Sequence, residues 1–285
     1  MHTRDDPWPT GTPAWTDLMT PDRQAAQAFY GDLFGWAFLE SGPEHGFYVQ
    51  AHIDGRPVAG LGEGPADQPT ATAAWTTYLA VDDIEAMTRR VTEAGGTALM
   101  PAIEIGDFGR MAVVADPAGA VFGLWEAGAH IGARLVNVPG AMCWNEALSG
   151  DFEASKAFYA EVFGFALQDL SGPEFEYVGL QIRARTVGGL GAIGTEMESV
   201  SSHWLTYFAV ESADAVAARA VALGGRCSGA RDSAYGRMAV ITGPQGESFA
   251  VIEPAPSAQG PDTWAPDVAE SSDARPAGPE PGGPV

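Results

Sequence analysis

Two tryptophan–carboxylate pairs, Trp15-Thr16-Asp17 and Trp144-Asn145-Glu146, stand in segments with the alternation of β-strands. Alternation sends every second side chain to one face, so each segment presents an indole and a carboxylate together. A carboxylate held among indoles is disfavoured as an anion, which raises its pKa and suits it to general acid or base work. Tyr78 and Tyr207 lie in later alternating segments, where a phenol can donate to a developing oxyanion. Asp17, Glu146, Tyr78 and Tyr207 are therefore the catalytic candidates. By the same count Trp15, Thr76, Gly123, Trp125 and Trp144 share the inward faces and are candidates for holding a substrate. Arg110 follows a glycine and could clamp a substrate carboxylate or bond a neighbouring turn. A structural reading stands beside the chemical one: the indoles as core, the carboxylates as acceptors of backbone or arginine hydrogen bonds, the tyrosines as ties between strands.

The elements that must position these residues occur twice. Trp15 and Trp144, Phe29-Tyr30 and Phe158-Tyr159, Tyr78 and Tyr207, and Gly95-Gly96 and Gly224-Gly225 are each 129 positions apart. After a two-residue shortening the offset becomes 127, pairing Gly109-Arg110-Met111 with Gly236-Arg237-Met238. Repeats of this length are duplicated domains. Within the first, Ala14–Leu18 reads as a strand. Thr20-Pro21-Asp22 then starts a helix with Ala25, Phe29 and Leu33 on one face, which Gly35 ends. Strands near Phe47–Val49 and Val58–Leu61 complete a βαβββ unit. A second unit runs from the strand Trp75–Val81 through a helix capped by Asp83 and striped by Ile84, Met87, Val91 and Ala94. It closes with the turn Asp116-Pro117-Ala118-Gly119 and the strand Val121–Trp125. The division is a polar amino terminus (1–10), domain 1 (11–127), a linker (128–139), domain 2 (140–254) and a Pro/Gly/Ala-rich acidic tail (255–285). Both ends are expected to be mobile, with Trp264 the one aromatic of the tail.

At 285 residues and 46% apolar, the chain can bury two ordinary cores. Fifteen Lys and Arg against 37 Asp and Glu leave a net charge of −22, which repels nucleic acid and anionic membrane surfaces. No segment approaches the roughly 18 apolar residues of a membrane span, and the amino terminus lacks a signal-type apolar core. Two cysteines, Cys143 and Cys227, make no disulfide framework and suit a reducing compartment, so a cytoplasmic location is expected. A monomer and a homodimer are both compatible with four units in one chain.

Phe29-Tyr30…Phe34-Gly35, its copy Phe158-Tyr159…Phe163-Gly164, and an Asp-Pro-x-Gly turn before an apolar strand resemble the vicinal oxygen chelate superfamily of glyoxalases, bleomycin-resistance proteins and extradiol dioxygenases. The resemblance spans both copies. It implies an α+β fold of tandem glyoxalase-like domains, with four βαβββ units forming two eight-stranded cup-shaped sheets. Whether unit one shares a cup with unit two or with unit four stays open. Metal-using members bind a divalent ion through His, Gln or Glu at four positions. Counting from the motifs, those fall here at Trp15, Thr76, Gly123 and near Gly60, and in the second copy at Trp144, Leu205, Ala250 and near Gly189. Such side chains cannot hold a hard divalent ion. The five histidines show no ligand spacing, and no flavin, haem or dinucleotide motif is visible, so neither metal nor cofactor is expected.

An aromatic-walled cup with few polar groups suits a flat aromatic or apolar metabolite. Two functions follow. One is a metal-independent lyase, isomerase, hydrolase or cyclase acting on an aromatic or carbonyl metabolite by carboxylate and tyrosine acid–base chemistry. The other is a binding protein that sequesters an aromatic antibiotic or metabolite by stacking on the indoles. The first cup keeps more aromatic and polar groups and is the expected active one.

Overall fold

The computed structural model describes residues 2–42, 48–64, 72–194 and 200–255. The acidic tail and Trp264 lie outside them. Unit one comprises strand β2 (Pro13–Thr20), helix α1 (Arg23–Phe34) and strands β3 (Ala37–Glu40), β4 (Val49–Ile53) and β5 (Arg56–Glu63). Unit two comprises β6 (Ala74–Val81), α2 (Ile84–Glu93), β7 (Thr97–Ile105), β8 (Gly109–Ala115) and β9 (Val121–Ala127). Together they form one eight-stranded sheet in the order β3-β4-β5-β2-β6-β9-β8-β7. Units one and two therefore share a cup, closed by antiparallel pairing of the two first strands, β2 and β6.

The second half repeats this with β11 (Met142–Ser149), α3 (Phe152–Phe163), β12 (Ala166–Asp169), β13 (Tyr177–Ile182) and β14 (Arg185–Ala192). Its other unit has β15 (His203–Ala209), α4 (Ala213–Ala222), β16 (Arg226–Cys227), β17 (Arg231–Ser233), β18 (Gly236–Thr242) and β19 (Ser248–Pro254). This sheet has nine strands because the edge that β7 forms in one piece is split here into β16 and β17. Each of the four α-helices among the described residues begins at a side-chain cap, Asp22, Asp83, Asp151 or Ser212, which accepts the backbone N–H three residues on. Each cap is worth about 1 kcal/mol.

The residues between the cup-facing ones join the two domains. Thr206 Oγ1 lies 3.1 Å from both Thr16 Oγ1 and Thr77 Oγ1, and Thr77 and Thr206 both donate to Asn145 Oδ1. These four side chains are at most 1% exposed, so the sheets meet back to back through a closed polar knot. The helices cross the same junction. Tyr30 on α1 accepts the Trp75 indole N–H and donates to Glu247 of domain 2. Its counterpart Tyr159 on α3 accepts the Trp204 indole N–H, and Ser155 on the same helix donates to Asp116 of domain 1. The second copy has Gly243 where the first has Asp116. A Cβ at Gly243 would collide with the Glu247 carboxylate, so the missing aspartate is replaced by a glutamate four residues on that fills its space.

Residues 2–10 are docked, against the expectation of a mobile terminus. His2–Thr3 (β1) pairs with Leu135–Val136 (β10) of the linker, and Trp8 is 5% exposed with its indole N–H on the Ala133 carbonyl. Burial of the indole, the pairing of β1 with β10 and the Arg4 backbone N–H on the Arg134 carbonyl act together against the cost of ordering this segment. The linker is also core, with Ile131, Ala133, Leu135 and Val136 all buried.

Candidate functional site in the first cup

Register brings the predicted residues together. Asp17 lies between Gly60 on β5 and Thr76 on β6, while Trp15 lies opposite Tyr78, which in turn neighbours Gly123 on β9. Sequence reasoning missed the group that links them, Tyr48. Its hydroxyl accepts the Trp15 indole N–H at 2.9 Å and donates to Asp17 Oδ2 at 3.2 Å. Tyr48 reaches Asp17 across Gly60, where any Cβ would overlap the phenol, and the Tyr78 ring lies against the bare Cα of Gly123 in the same way. The signal for Tyr48 was present in the repeat, since Tyr177 stands 129 residues later.

Asp17 is 6% exposed. Burial pushes its carboxyl up to about 7, against the opposing pull of the Tyr48 hydrogen bond and of the nearby Tyr78 hydroxyl, which lies outside hydrogen-bond geometry. Both phenols are held well above the ordinary tyrosine range by burial and by the neighbouring carboxylate, so they remain donors. Asp17 Oδ1 is sealed from solvent and has no hydrogen-bond partner among the described residues.

The second cup builds the same cluster and closes it. Glu146 is one methylene longer and reaches two phenols, Tyr207 on Oε1 and Tyr177 on Oε2, each at 2.7 Å. Trp144 donates to Tyr177 at 3.0 Å, as Trp15 does to Tyr48. Burial also raises the Glu146 carboxyl, with the two tyrosines opposing. Around this cluster Cys143, Leu148, Leu205, Met238, Ala250 and Ile252 form an apolar lining. Cys143 is a free thiol pushed by burial far from its reactive form.

Trp125 is 6% exposed and shares a neighbour with Trp15 that sequence reasoning did not select, His130 of the linker. The imidazole meets the Trp15 ring edge-on at 4.5 Å between centroids and the Trp125 ring at 5.5 Å, and its carbonyl accepts the Trp125 indole N–H. Burial lowers its pKa to about 4, with Arg134 and His52 adding to the effect, so the ring is neutral at physiological pH. The repeat gives no signal for His130, because at the 127-residue offset the second copy has Ser257 in its place.

Arg110 is not part of the cup. It points to the helix-covered face, where it is paired with Glu85 on α2 and lies 3.7 Å from Glu126. The strand period is the reason: Met111 pairs with Trp125, and Arg110, one residue away, takes the opposite face. Arg237 is held likewise by Asp214 and Asp232. Glu126 and Glu253, on that same face, accept the first backbone N–H groups of α2 and α4.

The four positions where the resemblance puts metal ligands do not fit a divalent ion. The Trp15 indole is a donor only, Gly60 and Gly123 lack side chains, and the space above them is occupied by Tyr48 and Tyr78. Thr76, half-buried beside Asp17, is the remaining position. Among the described residues the one group of three closely spaced metal-capable side chains is Asp83, Glu85 and Glu126. It lies at the start of α2, where Glu85 and Glu126 already serve Arg110 and the helix terminus.

The family model described as Glyoxalase/Bleomycin resistance protein/Dioxygenase superfamily matches residues 12–124 and again 142–251. The chain belongs to this superfamily. It is 41% identical over 254 residues to "Putative glyoxylase CFP32" of Mycobacterium tuberculosis, covering 86% of this chain and 96% of that protein. It is 38% identical over 257 residues to the anthracycline biosynthesis protein DnrV of Streptomyces peucetius, covering 85% and 93%. Among solved structures it superposes on the 2,3-dioxygenase LapB of Pseudomonas sp. KL28 with a TM-score of 0.59 at 15% identity, covering 87% of this chain and 96% of that one. The Mn(II)-bound glyoxalase of Novosphingobium aromaticivorans gives 0.58 at 17% identity, covering 90% and 93%. At such identities these structures share the fold alone. The two family matches coincide with the two cups of this chain, and among the described residues no helix is long and apolar enough to cross a membrane.

Proposed function

We propose that the first cup binds a flat aromatic metabolite carrying a carbonyl or hydroxyl oxygen and moves a proton on it, with Asp17 as general base and acid. The observation that carries this reading is the orphaned Asp17 Oδ1. A buried polar atom without a partner costs about 1–3 kcal/mol, which a substrate proton or hydroxyl would recover. A carboxyl near 7 is divided between its two forms at neutral pH, the condition for taking a proton in one step and returning it in the next. Asp17 would remove a proton from a carbon beside the carbonyl, and Tyr78 would donate a hydrogen bond to the enolate oxygen that forms. Return of the proton at another position completes an isomerisation; loss of a leaving group instead completes an elimination, and attack on a second carbonyl a cyclisation. The reaction needs no metal in this reading. Glu146, with both oxygens already satisfied, would serve its own cup as a structural tie. The relatives named for anthracycline biosynthesis support a polycyclic aromatic substrate. Two unpaired cysteines suit a cytoplasmic setting.

The test compares Asp17→Asn with Glu146→Gln, using polyketide-derived anthraquinones and their biosynthetic precursors as candidate substrates. The expected result is turnover that rises as pH passes through about 7, lost in Asp17→Asn with binding retained, and kept in Glu146→Gln. Binding without turnover in the wild type, undiminished in both variants, would replace catalysis with sequestration by the indoles.

A further inference from the structure

The orphaned oxygen of Asp17 has a companion. His130 Nε2 is also sealed from solvent without a hydrogen-bond partner among the described residues, and the second-cup cluster around Glu146 contains no such atom. Leaving an imidazole nitrogen unpaired in a dry site is costly, and among the described residues only Thr10 Oγ1, Arg23 Nε and Arg110 Nε share that state with these two atoms, while the deeply buried Asn145, Thr206 and Tyr30 are all paired. The imidazole is also tightly placed. Its backbone N–H donates to the Phe108 carbonyl, its own carbonyl holds the Trp125 indole, and the ring is wedged edge-on between Trp15 and Trp125. A ring fixed between two indoles has an unchanging direction in which to offer its free nitrogen.

We propose that His130 is the specificity-determining residue of the first cup, hydrogen-bonding through Nε2 to an oxygen on the edge of an aromatic ligand that packs against Trp15 and Trp125. This rests on the aromatic-ligand reading of that cup. The ligand class is narrowed to fused or single aromatic rings with a phenolic hydroxyl or quinone-type carbonyl, because a neutral imidazole complements either oxygen. Asp17 and His130 then act on one molecule with separate tasks: the carboxylate meets the group that exchanges a proton, and the imidazole sets which edge of the ring faces it. Such a site rejects the oxygen-free analogue because binding it would leave Nε2 unpaired.

The experiment uses the full chain and two probes of nearly equal ring area, 2-naphthol and naphthalene, followed by NMR of the imidazole nitrogens and the indole N–H groups. The expected result is that 2-naphthol binds about tenfold more tightly than naphthalene, the worth of one well-placed hydrogen bond. The His130 Nε2 resonance shifts with 2-naphthol only. His130→Phe abolishes the preference while naphthalene still binds, and His130→Gln keeps part of it. Equal affinities, or an unmoved His130 resonance while the Trp15 and Trp125 signals shift, would overturn the assignment to His130 and leave the aromatic cup standing. If neither probe moves the two indole signals, the aromatic-ligand reading falls and this inference falls with it. The wild-type resonances decide the matter even if the variants fold poorly.

Discussion

Replacing Asp17 with asparagine is expected to change how folding stability depends on pH, in a direction opposite to that of an ordinary aspartate. Most carboxylates are stabilised as anions by folding. Asp17 is the reverse, its carboxyl raised from 3.8 to about 7 because burial outweighs the Tyr48 hydrogen bond and the pull of the nearby Tyr78 hydroxyl. The folded state then holds a proton that the unfolded chain has already released, so stability falls as pH rises from about 4 to about 7 and is level above that. At pH 5 the unfolded chain is about one unit past its own midpoint, and at pH 8 the full shift of about three units is felt. At 1.36 kcal/mol per unit the wild type therefore loses about 3 kcal/mol from this residue between pH 5 and 8. Asparagine has nearly the same shape and never ionises, so the variant lacks that loss. His130, lowered to about 4, pulls the other way below pH 6.5, but it is present in both proteins and cancels in the difference. Urea denaturation of both proteins at pH 5, 6, 7 and 8 measures it directly. The stability of Asp17→Asn relative to wild type should rise by about 3 kcal/mol over that range. A difference that stays constant would mean that Asp17 is hydrated in the folded protein. One that falls with pH would mean a hidden cationic partner, and either would remove the basis for Asp17 as a base working near neutrality.

Gly60→Ala places a methyl group where the Tyr48 phenol lies, so it should cost about 1–3 kcal/mol and release the Trp15 indole hydrogen bond; thermal denaturation and the Trp15 N–H chemical shift report both. Arg110→Ala removes an ion pair on the face away from the cup, so thermal denaturation should show a loss under about 1 kcal/mol, with ligand affinity in calorimetric titrations unchanged. Gly243→Ala intrudes on the Glu247 carboxylate that Tyr30 holds across the domain junction, and a loss of about 1–3 kcal/mol is expected in urea denaturation. Combining Gly243→Asp with Glu247→Ala, which restores the first copy's arrangement, should recover much of that loss.

Much of this protein was written in one dimension. The duplication, the four βαβββ units and the helix caps Asp22 and Asp83 are local patterns, and local patterns survive projection onto sequence because they depend on neighbours within one turn or one strand. The pairing of Trp15 with Asp17 on one face was legible for the same reason, as was the poverty of ligands at Gly60 and Gly123. Arg110 was misjudged because a motif next to a glycine says nothing about which face of the sheet a side chain takes until the register with β9 is known. The docking of residues 2–10 was not legible because their composition is polar, while the contacts that hold them, the Trp8 indole and the pairing of β1 with β10, are made with the distant linker.

The amino-acid sequence by itself determined the repeat, the fold and the chemical types available to each cup. Only the tertiary structure decided that units one and two share a cup, that Tyr48 completes the Asp17 cluster across 31 residues of chain, and that His130 enters from the linker to stand between two indoles. It also decided what the extra methylene of Glu146 does, letting it meet a phenol with each oxygen while Asp17 leaves one unpaired. These are long-range facts set by strand register and by a few ångströms of reach, and neither quantity is encoded by the neighbours of any one residue.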